Sequence, residues 1–192
     1  KDIKKAIFNI YGFVRMADEI VDSFRGYDKE MLLEDFENDL EKALDRSMSI
    51  NPILNAFQLT VKKYDLERAH IRAFLESMRS DLTVKEYKSR DEFNRYIYGS
   101  AEVVGLMCLK IFCKNQPDKY EALKDSAVRL GAAFQKVNFL RDLRDDKKEL
   151  KRTYFPNMIG EKLSEPIKQA IISDIEPDFE AALRGIKRLP KN

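Results

Sequence analysis

Two stretches of the chain carry acidic and amide side chains at spacings that suit one face of an α-helix. The first stretch lies between residues 135 and 146. A helix turns by about 100° per residue, so its oxygen-bearing side chains fall within about a third of the circumference. These side chains are Gln135, Asn138, Asp142, Asp145 and Asp146. The ordinary interpretation of such a stripe is a solvated face. The second stretch changes that interpretation.

The second stretch lies near the start of the chain and repeats the same arrangement. Tyr11, Arg15, Asp18 and Asp22 fall within roughly 60° of one another on a helix. Like charges four residues apart cost a few tenths of a kcal/mol. Magnesium would offset that cost, because it prefers oxygen ligands and completes its shell with water and phosphate oxygens. Arginines suit phosphate oxygens as well. The two stretches together predict a clamp for a metal-bound diphosphate.

The elements that position these stripes are predicted to be helices throughout, because no run of residues alternates convincingly as a strand does. The apolar residues Phe134, Val137, Leu140 and Leu143 lie opposite the polar stripe and predict its core-facing side. We expect helices over 2–25, 29–47 and 52–64, a fourth that Asp65 caps, and a fifth from Ser89 to about Cys113. A sixth begins at Pro117. A shorter helix begins near Pro166, and Pro177 opens another.

Composition bounds the function class. The chain has 192 residues, 44% hydrophobic and 35% charged, which predicts one globular domain over 1–192. A net charge of +2 gives no case for nucleic acid as a partner. No stretch approaches the ~20 apolar residues of a membrane span, and no signal peptide is visible. We expect a cytoplasmic protein, or one associated peripherally with a membrane. The oligomeric state does not follow from the sequence.

Three isolated reactive residues are interpreted as structural. Cys108 and Cys113 are five residues apart, a poor spacing for a shared face, so buried free thiols are expected. His70 forms a single Glu-x-x-His with Glu67, whereas a di-iron bundle uses two copies. His70 is therefore expected to be an ordinary helix residue.

Two glycines interrupt the apolar fifth helix. A helical glycine costs about 0.5–1 kcal/mol relative to alanine, so Gly99 and Gly105 indicate that something approaches the backbone closely. Close packing of another helix and room for a long hydrocarbon ligand are equally compatible with the residues alone.

Four motifs in order resemble those of the squalene/phytoene synthase family, the head-to-head prenyl transferases. The motifs are Asp18-Glu-Ile-Val-Asp22, Tyr96-Ile-Tyr-Gly99-Ser-Ala-Glu-Val-Val-Gly105, Asn138-Phe-Leu-Arg141-Asp142-Leu-Arg-Asp-Asp146 and Arg152-Thr-Tyr154-Phe-Pro156. The resemblance implies an all-α, single-domain helical bundle of the isoprenoid synthase type with a central hydrophobic cavity. Compared with the family, residues 1–192 are expected to lack an N-terminal segment and the last C-terminal helix.

The resemblance also implies a reaction, in which two prenyl diphosphates are joined with release of diphosphate. The favoured substrate is geranylgeranyl diphosphate, two molecules of which would give phytoene. The alternatives within the family are a squalene or dehydrosqualene synthase that uses farnesyl diphosphate, and a non-catalytic relative acting as an assembly factor. A chain elongator or cyclase would usually carry DDxxD, where this chain has Glu19 and Ile20. NADPH is implied only for a squalene product.

Site roles follow from the same resemblance. The catalytic aspartates are expected to be Asp18, Asp22, Asp142 and Asp146, which with Asn138 would bind Mg²⁺, or Mn²⁺ in its place. The residues expected to bind substrate are Tyr11, Arg15, Tyr96, Ala101, Val104, Gly105, Gln135, Asn138 and Arg141. Peripheral membrane contact would serve the release of a lipid product.

Overall fold

The structure, a computed structural model, describes residues 1–145, 153–156 and 163–190, with the backbone alone for 143–145. Within these ranges the chain is built from helices. They are α1 (Asp2–Asp22), α2 (Lys29–Arg46), α3 (Pro52–Tyr64), α4 (Arg68–Thr83), α5 (Arg90–Ile97), a π-helical turn (Tyr98–Glu102), α6 (Val103–Phe112), α7 (Pro117–Asp145) and α8 (Glu165–Ile186). The expected all-α architecture is confirmed.

Local sequence explains most helix boundaries. Asn51 accepts hydrogen bonds from the backbone of Ile53 and Leu54 ahead of Pro52, and Ser89 forms a capping box with Glu92. The first helix ends at Asp22 rather than near residue 25. Asp65 was wrongly predicted to cap the fourth helix. It has a positive φ of 52° and ends α3, and Glu67 precedes α4.

The larger hydrophobic core lies among α1, α2, α3, α4 and α6. Phe13 of α1 is fully buried and stacks on Phe57 of α3, with ring centroids 4.0 Å apart. Burial of a phenylalanine side chain stabilises the fold by about 1.5–3 kcal/mol. This core fixes the rotation of α1, so its polar stripe faces away from the packed side.

A second core lies among α5, α7, α8 and the segment 153–156. Thr153 pairs with the backbone of Lys85 and Tyr87 in an isolated bridge. That bridge holds Tyr154 flat against Phe139 of α7, with centroids 3.9 Å apart. The C-terminal half of α7 is therefore packed from both sides.

The fifth helical stretch has the predicted bounds, from Arg90 to Phe112, with the π-helical turn Tyr98–Glu102 between α5 and α6. One predicted helix start was wrong. Pro177 does not open a helix but lies inside α8. Buried contacts on both sides of the proline, Ile171 and Ile175 before it and Ala182 after it, hold α8 together despite the missing backbone donor.

The predicted core face of α7 was also wrong. Phe134 is 55% exposed and Val137 37% exposed, whereas Lys136 is only 6% exposed. Leu140 is partly buried against the second core, and the side chain of Leu143 lies outside the described residues. The buried face runs through Ala132, Lys136 and Phe139 because α8 supplies carboxylates to Lys136.

The glycines of the fifth helical stretch pack against other helices. A Cβ added to Gly105 would lie 2.6 Å from the carbonyl oxygen of Ala127, and one at Gly99 would lie 1.9 Å from Ser77 Oγ. Gly131 of α7 is equally constrained, with Ala101 O 2.7 Å from such a Cβ. Close helix packing therefore explains these residues, although Gly105 also borders a cavity.

Candidate active site

The two polar stripes line one cleft between α1 and α7, with a volume of 410 Å³. The α1 side presents Tyr11, Arg15, Asp18 and Asp22, and the α7 side presents Gln135, Asn138, Arg141 and Asp142. The sequence prediction that the stripes share a cavity is confirmed. Asp146 and Arg152 lie outside the described residues, as does the side chain of Asp145.

On the α1 side, carboxylates crowd together. Arg15 binds Asp18 at 2.6 Å and also pairs with Glu19. Burial raises the pKa of Asp18, and the neighbouring charge of Asp22 raises it further against the opposing effect of Arg15. The fold therefore holds Asp18 and Asp22 close enough for their charges to repel each other.

On the α7 side, Arg141 donates two hydrogen bonds of 2.6 and 2.5 Å to the carboxylate of Asp142. This hydrogen bonding lowers the pKa of Asp142, so its carboxylate stays ionised. Each stripe thus presents an arginine beside an aspartate, and a phosphate group would offer each arginine further acceptors.

The oxygen donors of the cleft suit a hard divalent cation. Asp18, Asp22, Asn138 and Asp142 supply carboxylate and amide oxygens, and Mg²⁺ uses one or two protein carboxylates with water and phosphates. In the parts of the chain that are described, no three acidic, histidine or cysteine side chains converge as a metal cage. The donor set therefore fits an ion shared with a phosphate ligand better than an all-protein site.

The inner wall of the cleft contains a buried pair that the sequence analysis did not identify. The Tyr96 hydroxyl donates a 2.8 Å hydrogen bond to Asp81 of α4, and both line the cleft. Burial and the Asp81 charge raise the pKa of Tyr96 well above its usual range. Tyr96, which was expected to bind substrate, lines the polar cleft and is not among the residues that line the apolar groove. The partner on α4 carries no motif of its own in the sequence.

A separate apolar groove of 340 Å³ lies beside the cleft. It is lined by the π-helical turn, α6, α7 and the end of α8. Ala101, Val104 and Gly105, which were expected to bind substrate, line it, and so does Phe134. Its far end is formed by Phe112, Leu123 and Leu189, next to the small core of Leu109, Cys113 and Tyr120. The groove is elongated along the helices.

The cleft and the groove meet. Val14, Ser100 and Gln135 line both cavities, so a polar space and an apolar space adjoin across these side chains. A ligand with a charged head and a long hydrocarbon tail would match this arrangement. Water or an inorganic ion alone would fill one part only.

Behind the groove, an ion-pair cluster joins α7 to α8. Lys136 Nζ lies 2.8 Å from Asp178 and 2.7 Å from Asp174, and Arg129 binds Asp178 at 2.8 Å. Burial raises the pKa of Glu102 to about 7, with the charge of Asp178 contributing. Neither aspartate of α8 stood out in the sequence, because their partner precedes them by about forty positions.

The remaining reactive residues behave largely as expected. Both cysteines are free thiols. Cys113 is buried, whereas Cys108 is half-buried on the groove, and burial raises its pKa to about 11. His70 is a buried residue of α4 whose pKa burial lowers. None of the described helices is long and apolar enough to cross a membrane.

Comparisons with known proteins give a family match that covers almost the whole chain. The family model for squalene/phytoene synthase matches residues 1–191. Phytoene synthase 1 of Solanum lycopersicum is 33% identical over 156 residues, covering 80% of this chain and 37% of the relative. The 15-cis-phytoene synthase of Pantoea ananas is 26% identical over 211 residues, covering 97% and 67%. The chain thus spans little more than a third of the plant relative's length.

Solved structures agree on the fold. A squalene synthase from Alicyclobacillus acidocaldarius superposes with a TM-score of 0.80 at 21% identity, covering 98% of this chain and 74% of that one. A dehydrosqualene synthase in complex with ligand gives the same TM-score and identity, with 97% and 68% covered. At this identity the match establishes the all-α isoprenoid synthase fold.

Proposed function

Since the chain belongs to the squalene/phytoene synthase family, we propose that it binds two prenyl diphosphates and joins them head to head, releasing diphosphate. The observation that carries the proposal is the junction of the polar cleft with the apolar groove. A prenyl diphosphate has a dianionic or trianionic head and an apolar tail, and each part meets a matching surface.

The residues of the cleft would perform the binding. Arg15 and Arg141 would transfer their hydrogen bonds from neighbouring aspartates to phosphate oxygens, to which arginine binds in a planar fork. Tyr11 and Gln135 border the same space and would orient the head group. Charge that develops on the departing diphosphate is then stabilised by donors already in place.

Asp18, Asp22, Asn138 and Asp142 would hold Mg²⁺, with Asp146 as a further predicted ligand. Bound there, the metal would neutralise negative charge on the leaving diphosphate. The raised pKa of Asp18 supports this assignment, because a cation would relieve the like-charge pair that Asp18 forms with Asp22.

The groove would hold the hydrocarbon and exclude water from the reactive carbon. Water exclusion matters because loss of diphosphate leaves an allylic cation that water would trap. The lining supports this role. It is formed by Val104, Leu130 and similar apolar side chains, together with small residues.

Groove length favours a C20 tail and hence a phytoene-type product. Twelve residues of helix separate Ser100 from Phe112, which corresponds to about 18 Å at 1.5 Å per residue. Protein backbone extends by at most ~3.3–3.6 Å per three bonds, so a sixteen-carbon main chain spans about 18 Å and a twelve-carbon one about 13 Å. The first is the main chain of a geranylgeranyl group and the second that of a farnesyl group.

The test is incubation of the protein with geranylgeranyl diphosphate or farnesyl diphosphate, with Mg²⁺ and with EDTA. Extracted hydrocarbons are identified by mass spectrometry, and released diphosphate is measured separately. We expect phytoene from the C20 substrate, and loss of both signals in EDTA. Diphosphate release without a C40 hydrocarbon from the C20 substrate or a C30 hydrocarbon from the C15 substrate would contradict head-to-head joining, and no release from either substrate would contradict the proposed function.

A further inference from the structure

Ser100 carries a buried hydroxyl without a hydrogen-bond partner. Its Oγ is shielded from solvent, and no donor or acceptor in the described structure reaches it. A serine in a helix commonly donates to a carbonyl three or four residues earlier, as Ser80 does to Ser77 O at 2.8 Å. Buried side-chain polar atoms nearly always have a partner. The unsatisfied hydroxyl of Ser100 therefore requires an explanation.

Helix geometry at this position is unusual as well. Ser100 lies at the centre of the π-helical turn Tyr98–Glu102. Such turns are rare, and they occur frequently at functional sites. Small size alone does not explain the residue, because alanine would fill the space without burying an unsatisfied hydroxyl, and Ala101 follows directly.

The position of Ser100 suggests what its partner is. Ser100 lines both the polar cleft and the apolar groove, together with Val14 and Gln135. A ligand that occupies both cavities must place the atom joining its two parts near these side chains. In a prenyl diphosphate, that atom is the ester oxygen between the first carbon of the tail and the first phosphorus.

We propose that the Ser100 side chain rotates about χ1 towards the junction of the two cavities, where its hydroxyl donates a hydrogen bond to this ester oxygen. The inference rests on the proposed function and adds to it one substrate-contacting residue. When the carbon–oxygen bond breaks, its electron pair stays on the oxygen, which leaves with the diphosphate, and the carbon becomes the allylic cation. The serine keeps its proton throughout. Its hydrogen bond strengthens as charge accumulates on the oxygen, so it favours the transition state over the bound substrate.

The experiment compares Ser100→Ala with wild type, and uses Ser80→Ala as the matched control. Ser80 is also a helical serine but lies outside the cleft and the groove. We expect Ser100→Ala to lower kcat for diphosphate release about 10–100-fold, the equivalent of a hydrogen bond to a charged group. KM should change by less than about threefold, because the interaction is made mainly in the transition state. Ser80→Ala should match wild type.

A second ligand separates this contact from a general effect on packing. In the prenyl S-thiolodiphosphate, sulfur replaces the ester oxygen and accepts hydrogen bonds weakly. We expect wild type and Ser100→Ala to bind this analogue equally in calorimetry.

An unchanged kcat in Ser100→Ala would overturn the inference while leaving the proposed function intact. A thiolodiphosphate affinity that falls as far as kcat would also overturn it, because a packing defect would then explain both. A wild-type protein that neither binds nor cleaves prenyl diphosphates would overturn the inference and the proposed function together.

Discussion

Lys136 of α7 and Asp178 of α8 form a buried ion pair, with Nζ 2.8 Å from Oδ2. Lys136 follows Gln135 directly and lies one turn before Leu140, on the helix that carries half of the candidate site. The pair therefore fixes the rotation of α7, and through it the direction in which the polar stripe faces.

Removing one partner of this pair should destabilise the protein strongly. We expect Lys136→Met to lower the free energy of unfolding by about 1–3 kcal/mol, because buried Asp178 would lose one of the two cations that bind it at 2.8 Å and keep only Arg129. Urea denaturation followed by circular dichroism measures the change. Lys42→Met removes an exposed lysine of α2 and should cost less than about 0.5 kcal/mol. Equal effects of the two substitutions would contradict the assigned role.

Asp18→Asn should abolish turnover without destabilising the protein. The raised pKa of Asp18 means that its charged form destabilises the folded state. When no metal is present, the neutral amide should therefore leave the free energy of unfolding at pH 7 unchanged or increase it. The stability difference from wild type should disappear as the pH falls below the ordinary aspartate pKa of about 3.9, where both states are protonated. Activity assays and pH-dependent urea titrations measure these effects. Turnover close to wild type would exclude Asp18 from the site.

Tyr96→Phe tests the buried hydrogen bond to Asp81. We expect a loss of about 1–3 kcal/mol in unfolding free energy, since the carboxylate loses a donor in a site shielded from water. Tyr98→Phe is the matched control, because Tyr98 is 41% exposed two residues away. Thermal and urea unfolding of both variants measure the difference, and a loss as large in Tyr98→Phe would contradict the interpretation.

Glu102 should make stability depend on pH near neutrality. Its pKa in the folded state is about 7, above the ordinary value of 4.5, so its protonated form stabilises the fold. That contribution is complete below about pH 4.5 and is lost as the pH rises through 7. Asp178 of α8 opposes ionisation, while Lys136 and Arg129 of α7 favour it.

Urea titrations between pH 5 and 8 should therefore show wild type losing stability relative to Glu102→Gln. The same substitution at the exposed Glu180 separates this effect from the loss of a surface charge. Parallel profiles for wild type and Glu102→Gln would show that Glu102 does not titrate in this range.

Cys108→Phe should shorten the groove. Cys108 lies eight residues beyond Ser100, about 12 Å along the helix, so a larger side chain there would block a C20 tail more than a C15 tail. We expect the ratio of turnover with geranylgeranyl diphosphate to that with farnesyl diphosphate to fall at least tenfold. Cys108→Ser, which removes the thiol without adding volume, should keep the wild-type ratio. A ratio that is unchanged in Cys108→Phe would place the tail elsewhere.

Local and electrostatic features of the site were predictable from sequence, because they depend on helical spacing. Asp18, Asp22, Asn138 and Asp142 fall on one face of each helix at any rotation, and charge crowding indicated that the faces meet. The rotation of α7 was not predictable in the same way. It depends on Lys136 finding Asp174 and Asp178 on a distant helix, a pairing that overrides the exposure expected for lysine and the burial expected for Phe134.

Pro177 and Ser100 show a second limit of sequence reasoning, namely that tertiary contacts decide what a single residue does. Pro177 ordinarily indicates a helix start, but buried contacts on both sides outweigh its missing donor. Ser100 has no distinguishing spacing, and only the coordinates reveal that its hydroxyl is buried where two cavities join.

The close backbone contacts at Gly105 and Gly131 have a consequence for how the groove of this chain can be altered. Main-chain atoms, not side chains, set the distance of α7 from α6 and from the π-helical turn, because the Ala127 and Ala101 carbonyls already occupy the space of a methyl group. Substitutions along the groove can therefore change its depth while its width stays constant. A substitution at a single groove-lining residue, such as Cys108, would therefore change the length of hydrocarbon tail that the groove accepts, while the packing of the helices stays the same.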